Sequence, residues 1–380
     1  MAEIIYLDNS STTKPCKESI KAVDTALSEN WGNPSSLHIL GMKAEETVNN
    51  ARNAVASLLK VRDDEIYFTG SGTEGNNTAI LGAAFARAKR GNRIVTTSVE
   101  HPSVLETVKR LEETGFEVIR VSPDKDGVVD PNKLEAAIND KTVLVSMMLV
   151  NNETGAIMPV QAAKQAILKK RAPALLHCDG VQAFGKMPID PNSLGADLFT
   201  ASAHKIHGPK GIGVLYIKKG VTVKPLITGG GQERGMRSGT ESVPLAAGMG
   251  AAISALIDPK TELKKIKELN LYARKALLET GLVRINSSEE ALPYILNISV
   301  LGYRSETLLH FLENRKIFVS SGSACAKGKG SYVLKECGFD KRTIDSALRL
   351  SFSRYNKKEE IDVLAAALRD AAATLRRADL

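Results

Sequence analysis

Residues 143–178 read VLVSMMLVNNETGAIMPVQAAKQAILKKRAPALLHC, and this stretch decides the class of fold. Two short runs rich in Val, Leu and Met, at residues 143–149 and 174–178, enclose a helical pattern at residues 161–169. Short continuous apolar runs are typical of strands that are buried on both faces. The stretch therefore predicts two parallel strands joined by a crossover helix.

The same alternation continues on both sides, from about residue 62 to residue 217. Further helical patterns lie at residues 77–89 and 103–113, and further apolar runs that read as strands lie at residues 65–68, 93–97, 117–121, 198–201 and 213–217. Repeated strand–helix units predict an α/β fold whose large domain contains a mainly parallel, seven-stranded sheet flanked by helices.

Beyond Gly220 the pattern changes to that of a smaller α+β domain. A glycine-rich stretch at residues 228–231 precedes a long helical region at about residues 243–279. Strands are then predicted at residues 282–285, 294–300, 317–320 and 348–352, with helices at residues 305–314, 343–347 and 358–376.

The composition is that of an ordinary globular protein, with 43% hydrophobic and 25% charged residues in a chain of 380. The formal net charge of +8 is spread along the chain without a long basic block, which argues against nucleic-acid binding as the main role. No signal-peptide pattern and no apolar run near the ~20 residues that span a bilayer occur in the sequence. Sparse cysteines without a C-x-x-C pair are typical of a reducing compartment. We therefore expect a soluble, cytoplasmic protein with no membrane partner and no direct nucleic-acid partner.

The glycine-rich turn GSGTEG at residues 70–75 follows a predicted strand and opens a helix. Glycines let backbone N–H groups approach an anion, and a helix N-terminus adds partial positive charge, so a phosphate group fits this turn. The string also matches G-x-G-x-x-G, and Glu100 follows the next strand. A dinucleotide site and a plain strand-to-helix turn are therefore alternatives for this motif alone.

Lys205 follows the predicted strand at residues 198–201, at the edge of the sheet where open α/β folds bind ligands. A lysine there can form a Schiff base if burial or a nearby cation lowers its pKa, although a surface loop lysine is the alternative. Neighbouring His204 and His207 have no acidic or thiol partner close in the sequence, so no metal site is predicted.

Asp179 ends the very apolar run at residues 174–178, where a carboxylate is costly unless it meets a cation. The protonated pyridine nitrogen of pyridoxal phosphate (PLP) is such a cation, and a helix N-cap is the alternative role.

Cys325 lies in a loop of small residues at about residues 320–332. Lys327 and Lys329 lie beside it, and nearby cations lower a thiol pKa, which favours a reactive thiolate over a plain surface cysteine. The other three cysteines, Cys16, Cys178 and Cys337, are predicted to be structural.

Together these residues resemble the class V aminotransferase family, and within it the NifS/IscS-like cysteine desulfurases, over essentially the whole chain. The motifs that carry the resemblance are YLDNSSTT (6–13), GNPSS (32–36), GSGTEG (70–75), EHP (100–102), VNNETG (150–155), DGVQ (179–182), SAHK (202–205), RSGT (237–240), SGSAC (321–325) and RLS (349–351). The SAHK and SGSAC strings are specific, and their order along the chain leaves little room for chance.

The resemblance implies an enzyme with the fold of type I PLP enzymes. Lys205 would carry PLP as a Schiff base and, once freed, would act as the base for the substrate Cα proton. Asp179 would pair with the pyridine nitrogen, Gln182 with the phenolic oxygen, and His101 would stack on the ring.

The resemblance also implies a phosphate site, a substrate site and a homodimer. The phosphate would be held by Gly72, Thr73, Ser202 and His204, with Thr240 reaching over from a second subunit. Asn152, which also belongs to the cofactor site, and Arg349 would bind the substrate carboxylate, and Asn33 would complete the substrate-binding set. The domains would comprise residues 14–257, and residues 1–13 together with 258–380.

The implied reaction converts L-cysteine to L-alanine and leaves the sulfur as a persulfide on Cys325. An acceptor protein, either an iron–sulfur scaffold or a tRNA-thiolation enzyme, would then take the sulfur. The stretch AKGKG at residues 326–330 is slightly shorter and more basic than is usual in the family, which suggests an acidic partner. The alternatives are a selenocysteine lyase, a true aminotransferase, a dinucleotide-dependent oxidoreductase, and a non-catalytic assembly subunit.

Overall fold

The computed structural model describes residues 4–322 and 330–378 of the chain. Within these ranges the strands are β1 (Ile5–Tyr6), β2 (Ile66–Thr69), β3 (Arg93–Thr97), β4 (Glu117–Val121), β5 (Thr142–Met148), β6 (Leu175–Asp179), β7 (Leu198–Ser202), β8 (Gly213–Ile217), β9 (Val283–Ile285), β10 (Ile295–Val300), β11 (Ile317–Phe318) and β12 (Ala347–Ser351).

The helices surround these strands, and short 3-10 turns occur at Asp63–Glu65, Ala203–Lys205 and Glu233–Gly235. The α-helices are α1 (Lys17–Ser28), α2 (Ile39–Leu59), α3 (Gly72–Arg87), α4 (Pro102–Glu113), α5 (Pro131–Ala137), α6 (Val160–Lys169), α7 (Pro191–Leu194), α8 (Val243–Ser254), α9 (Pro259–Leu278), α10 (Ser305–Glu313), α11 (Tyr332–Glu336), α12 (Lys341–Asp345) and α13 (Lys358–Thr374).

The large sheet has the strand order β2-β8-β7-β6-β5-β3-β4. Strands β3 to β7 run parallel to one another, and β8 runs antiparallel to both β7 and β2. Every residue of β5, β6, β7 and β8 is buried, which explains why these strands lack the alternation of a half-exposed sheet. The predicted α/β fold with a mainly parallel, seven-stranded sheet is confirmed.

Two differences from the predicted elements concern helix boundaries. Helix α3 begins five residues earlier than predicted, because the Ser71 hydroxyl caps it by accepting the Glu74 N–H at 3.1 Å. The helical region predicted at residues 243–279 consists of two helices, since α8 ends at Ser254 and Asp258 caps a new helix that starts at Pro259. Proline fits the first turn of a helix and not its interior.

A third difference lies near the C-terminus, where the helix predicted at residues 343–347 is wrong. Asp340 caps α12 by accepting the Thr343 N–H at 2.8 Å, so this helix starts earlier. It ends at Asp345, and Ala347 already belongs to β12. Helices α1 and α2, which pack against α8, were not predicted.

The N-terminal segment joins the C-terminal third of the chain. Strand β1 pairs in parallel with β11, and β12, β10 and β9 form a small antiparallel sheet. Asn9 donates its side-chain N–H to the Ser351 carbonyl at 2.9 Å. We propose the division into residues 14–257, and residues 1–13 with 258–380, and this pairing of the described residues 4–13 supports it.

The carboxyl ends of β3, β5, β6 and β7 lie along the same edge of the large sheet, because these strands are parallel. In open α/β sheets this edge is where ligands bind. Among the described residues, no helix is both long and apolar enough to cross a bilayer.

Candidate active site

A cavity of about 290 Å³ lies at this edge of the sheet and collects residues from distant parts of the chain. It brings together most of the residues predicted for the cofactor and substrate, namely Gly72, Thr73, His101, Asn152, Asp179, Gln182, Ser202, His204, Lys205 and Arg349. Asn33 and Thr240 are exposed and are not among the described residues that line the cavity. Cys325 lies outside the described residues, as do Lys327 and Lys329.

Two glycines allow the backbone to approach closely enough to form this cavity. A Cβ at Gly180 would lie 1.8 Å from the ring of Phe199, so only glycine fits between Asp179 and the next strand. A Cβ at Gly213 would lie 2.5 Å from the backbone carbon of Ser71, so glycine lets the 70–75 turn pack on β8.

Asp179 is buried at the end of β6, and its carboxylate is held by two donors. Asn76 Nδ2 donates to Asp179 Oδ2 at 2.7 Å, and the Val181 N–H donates to Oδ1 at 3.0 Å. The carboxylate therefore orders the turn after β6 and also lines the cavity. Both donors are neutral groups, and no cationic group among the described residues is in direct hydrogen-bonding contact with this carboxylate.

His101 caps α4 and is fixed by a short chain of hydrogen bonds. The Ser103 N–H donates to His101 Nδ1 at 3.1 Å, and the Ser103 hydroxyl lies 2.8 Å from the same nitrogen. Asn76 Nδ2 donates to the Ser103 hydroxyl oxygen at 2.9 Å, which leaves the hydroxyl proton to point at His101. The Nδ1 atom is thus an acceptor, and the proton of the neutral ring is on Nε2.

Both histidines that line the cavity are neutral. Burial lowers the pKa of His101, against the attraction of Asp179 and with help from the Lys205 charge. Burial, and next the Lys205 charge, lower the pKa of His204 to about 3. His204 Nδ1 lies 3.3 Å from the Thr12 hydroxyl. These rings can donate or accept hydrogen bonds without adding positive charge to the site.

Lys205 and Gln182 meet at one carbonyl group of the N-terminal segment. Lys205 Nζ donates to the Ser10 carbonyl and, at 2.8 Å, to the Ser11 carbonyl. Gln182 Nε2 donates to the same Ser10 carbonyl at 3.0 Å. The amine and the amide therefore lie side by side at the point where a lysine-bound ligand would begin.

Arg349 is almost completely buried on β12 and is held by the N-terminal segment. Its Nη2 atom donates to Asp8 at 2.8 Å and to the Ser11 hydroxyl at 2.7 Å, and its Nη1 atom donates to the Asn152 carbonyl at 3.0 Å. The position of its guanidinium group is therefore fixed, and the group forms an ion pair with the Asp8 carboxylate.

Glu153 contacts the chain on the C-terminal side of residues 323–329 and lies close to Gly322 on their N-terminal side. The Ser331 hydroxyl donates to Glu153 Oε2, and a Cβ at Gly322 would lie 3.2 Å from the same oxygen. Glu153 follows Asn152, so the base of the cysteine-bearing loop adjoins the cavity.

The described cysteines are consistent with a structural role. Cys16, Cys178 and Cys337 are buried and free. Burial raises the pKa of Cys337 to about 12 and that of Cys178 well above its usual value, so neither is a thiolate at neutral pH.

Sequence reasoning missed three residues of this site: Ser10, Asn76 and Ser103. Asn76 is one turn after Thr73 on α3, a spacing that could have placed it on the same helix face. Ser103 follows His101-Pro102, and a proline at the first position of a helix is a common start signal that could have indicated a capping contact here. The contacts of Ser10 depend on the tertiary fold, and no local pattern indicates them.

The fold and the cavity are those of the class V aminotransferases, and the chain belongs to this family. The family model described as aminotransferase class V matches residues 5–364. Members of the family are PLP-dependent enzymes. The alternative of a dinucleotide-dependent oxidoreductase therefore loses its support.

Within the family, the chain is similar to proteins named as cysteine desulfurases. The cysteine desulfurase IscS of Methanosarcina thermophila is 40% identical over 366 residues, covering 94% of this chain and 89% of that protein. A NifS/IcsS protein homolog of Lactobacillus delbrueckii subsp. bulgaricus is 42% identical over 370 residues, covering 96% of each chain.

Two solved structures are also similar to this chain over nearly its whole length. A NifS-like protein superposes with a TM-score of 0.93 and 37% identity, covering 98% of this chain and all of that chain. A structure titled SspA in complex with cysteine superposes with a TM-score of 0.82 and 30% identity, covering 93% and 100% of the two chains.

The residues around the cavity fit PLP. Buried polar atoms that lack a partner within the described structure include Ser10 Oγ, Asn152 Oδ1 and Arg349 Nε, all on residues that line the cavity. The Asp179 carboxylate suits a pyridinium N–H, and the N-terminal turn of α3 suits a phosphate. Lys205 supplies the amine for a covalent link.

Glu100 is fully buried beside His101 and carries a testable pH signature. Burial raises its pKa from the ordinary 4.5 to about 8, against hydrogen bonds from the Met148 N–H and the Thr97 hydroxyl. Between these two values the folded protein binds a proton that the unfolded chain does not. The free energy of unfolding therefore falls as the pH rises through this window.

We expect Glu100→Gln to remove this dependence, because glutamine keeps the acceptor oxygen but does not ionise. Relative to the wild type, the variant should gain stability as the pH rises from about 5 to about 8, measured as the shift in urea midpoint. Glu113→Gln, at an exposed position on α4, is the control and should show a constant difference. A constant difference for Glu100→Gln as well would contradict the assignment.

Proposed function

We propose that this protein is a PLP-dependent cysteine desulfurase that converts L-cysteine to L-alanine and places the sulfur on Cys325. The observation that carries the proposal is the meeting of Lys205, Asp179, Gln182 and His101 around one cavity. The similarity over nearly the whole chain to proteins named cysteine desulfurase supports the choice of substrate.

Specific contacts would hold the cofactor. Lys205 would be the covalent attachment point, Asp179 would accept from the pyridine nitrogen, and Gln182 would donate to the ring oxygen. The phosphate would lie at the first turn of α3, near Gly72 and Thr73, where backbone N–H groups lack intrahelical partners. Ser202 and His204 would complete this phosphate site, with His204 as a neutral donor. When bound, PLP supplies an electron sink for charge that develops at the substrate Cα.

The chain itself supplies the proton transfers. Lys205 Nζ, held beside the Ser10 and Ser11 carbonyls, is the base for the Cα proton of the substrate. His101 keeps one proton on Nε2, since Nδ1 is occupied by Ser103, and from Nε2 it can donate a hydrogen bond to a group in the cavity. The two groups differ in role because one is a primary amine and the other a ring held neutral by burial.

The substrate carboxylate would be bound by Arg349 and Asn152. Both line the cavity, and Arg349 Nε is a buried donor without a partner in the described structure. Asn152 would donate to the carboxylate through its Nδ2 group. Asp8 and Ser11 hold the guanidinium group in place before substrate arrives, which lowers the entropy lost on binding.

The sulfur step can be tested with Cys325→Ala. Because the thiolate of Cys325 would attack the substrate sulfur, the variant should bind PLP with an unchanged visible spectrum. Alanine formation should fall by at least about a hundredfold, as expected when a nucleophile is removed. Mass spectrometry should find one extra sulfur atom on Cys325 in the wild type.

Cys337→Ala is the matched control, since its thiol is buried and protonated. It should retain both alanine formation and the persulfide. Full turnover of cysteine by Cys325→Ala would contradict the persulfide step and would favour a lyase that releases the sulfur directly.

We also propose that the protein works as a homodimer, with Thr240 completing the phosphate site of the neighbouring subunit. Thr240 is exposed and is not among the described residues lining its own cavity. Large apolar side chains that a partner could cover are exposed around Asn33, with Trp31 64%, Leu37 98% and Met42 57% exposed. Such a cluster of exposed apolar groups favours a protein interface.

Mixed dimers test the contribution of Thr240. In a dimer of one Lys205→Ala chain and one Thr240→Val chain, one site would have both Lys205 and Thr240 if Thr240 acts across the interface. Such dimers, purified through two different tags, should recover roughly half of the wild-type activity at limiting PLP. The homodimeric Thr240→Val should bind PLP about tenfold more weakly, because one hydrogen bond to a charged group is lost.

The control joins a wild-type chain to a chain that carries both substitutions. That dimer has no complete site if Thr240 acts across the interface, and one complete site if it acts within its own chain. Higher activity of the control than of the first mixed dimer would therefore exclude the proposed arrangement.

We further propose that an acidic acceptor protein takes the sulfur, on the basis of the lysines that flank Cys325. Replacing Lys327 and Lys329 with glutamate should slow sulfur transfer to candidate iron–sulfur scaffold or tRNA-thiolation proteins by several-fold, and more at low salt. Alanine formation with a small thiol as acceptor should fall less than transfer to the protein acceptor, because it responds only to the effect of these lysines on the Cys325 thiol. Lys264→Glu with Lys267→Glu, at exposed positions on α9, makes the same charge change elsewhere. An equal effect of both pairs would contradict a dedicated docking role.

A further inference from the structure

A buried lysine that the proposed reaction does not use lies directly behind the cavity. Lys186 is 5% exposed, and it follows Gln182 by four residues in the turn after β6. Its Nζ atom lies 3.1 Å from Gln182 Oε1 and 5.7 Å from the centre of the Tyr294 ring. It does not line the active-site cavity, but it shares a small adjacent cavity with Lys205.

Keeping a lysine in this place is costly. Burial, and next the charges of Lys205 and Arg349, lower the pKa of Lys186 to about 7, and Glu262 only partly opposes them. A methionine of similar volume would fill the space without this cost. The amine therefore needs a reason that packing alone does not provide.

The hydrogen bonds of Gln182 supply that reason. Its two ends meet different partners, because Lys186 can donate to Oε1 and the Ser10 carbonyl can only accept from Nε2. If the amide were flipped, its NH2 group would face an amine and its oxygen would face a carbonyl. The Ser10 carbonyl thus excludes the flipped amide, and Lys186 stabilises the observed orientation by donating to Oε1, which a charged and a neutral amine can both do.

The chosen orientation matters because of what lies on the Nε2 side. Ser10 O accepts from Lys205 Nζ as well as from Gln182 Nε2, so the amide N–H group lies next to the amine that would carry the cofactor. An N–H donor there can meet a ring oxygen close to the attachment point, whereas an amide oxygen would repel it.

We propose that Lys186 is a positioning residue, which holds Gln182 Oε1 away from the cavity so that the Gln182 N–H group faces the ring oxygen of PLP. This inference rests on the cofactor contacts of the proposed function. It adds a requirement of its own, namely that position 186 must offer a hydrogen-bond donor, while a positive charge is not needed.

Apo-protein titrated with PLP and followed by visible absorption tests this requirement. Lys186→Met removes the donor and should weaken PLP binding about tenfold, the size expected for one hydrogen bond. Lys186→Gln keeps a donor without a charge and should stay within about twofold of the wild type on the same scale. The pH midpoint of the absorption change should move in the same direction in Lys186→Met as in Gln182→Leu.

A double-mutant comparison separates action through Gln182 from a direct effect. If Lys186 acts through Gln182, adding Lys186→Met to Gln182→Leu should change neither PLP affinity nor the pH midpoint. Equal effects of Lys186→Met in both backgrounds would overturn the inference and would indicate a direct influence of the Lys186 charge on Lys205. Wild-type behaviour of Lys186→Met would overturn it as well.

Two further variants guard against loss of folding. Lys164→Met removes a partly buried lysine whose Nζ atom lies 2.9 Å from the Asp197 carboxylate. Neither residue is among the described residues that line the cavity, so this variant should leave PLP affinity unchanged. Gln182→Glu keeps an acceptor for Lys186 but lacks the N–H donor, so it should match Gln182→Leu. Wild-type affinity of Gln182→Glu would overturn the inference even if Lys186→Met does not fold.

The outcome is separable from that of the proposed function. A protein that forms alanine from cysteine but shows no coupling between Lys186 and Gln182 loses only this inference. A protein that binds PLP with the predicted coupling but does not desulfurate cysteine loses only the choice of reaction.

Discussion

A carboxylate buried at the end of β6 governs the arrangement of the cavity. Asp179 is buried, so its carboxylate needs hydrogen-bond donors that the fold provides. Asn76 on α3 and the Val181 N–H do this, and Asn76 in turn reaches Ser103 and so fixes His101. One buried charge thus determines the orientation of an acid–base group on a different helix.

The electrostatic character of the site follows from what burial does to each group. The two cavity histidines are neutral, and the cavity keeps the positive groups Lys205 and Arg349. Arg349 forms an ion pair with Asp8, and the Asp179 carboxylate accepts hydrogen bonds from Asn76 and the Val181 N–H. Such a cavity suits a ligand with an anionic phosphate, a basic ring nitrogen and a carboxylate on the bound substrate.

The N-terminal segment is the element that joins these parts. Asp8 contacts Arg349, the Ser10 carbonyl accepts from Gln182 and Lys205, and the Thr13 hydroxyl donates to the His204 carbonyl at 2.9 Å. The pairing of β1 with β11 holds this segment over the edge of the large sheet. A short stretch with little regular structure therefore supplies hydrogen-bond acceptors that the strands and helices do not.

The sequence by itself determined the α/β sheet, because strands buried on both faces are continuous apolar runs, and most strands lie within one residue of their predicted bounds. It also indicated Lys205 and Asp179 as candidate site residues, since a polar group after a buried strand is a local signal, whereas His101 was indicated by the family resemblance. Helix ends at Ser71 and Asp258 depended on capping hydrogen bonds that the apolar pattern does not encode. Only the tertiary structure decided the contacts of Asn76 and Ser10, because packing brings their partners close rather than spacing along a helix or strand. Lys186 and Gln182 are close in the sequence, only four residues apart. Even for this pair the orientation of the Gln182 amide depends on the Ser10 carbonyl, which lies 172 residues away and accepts from the other end of the amide.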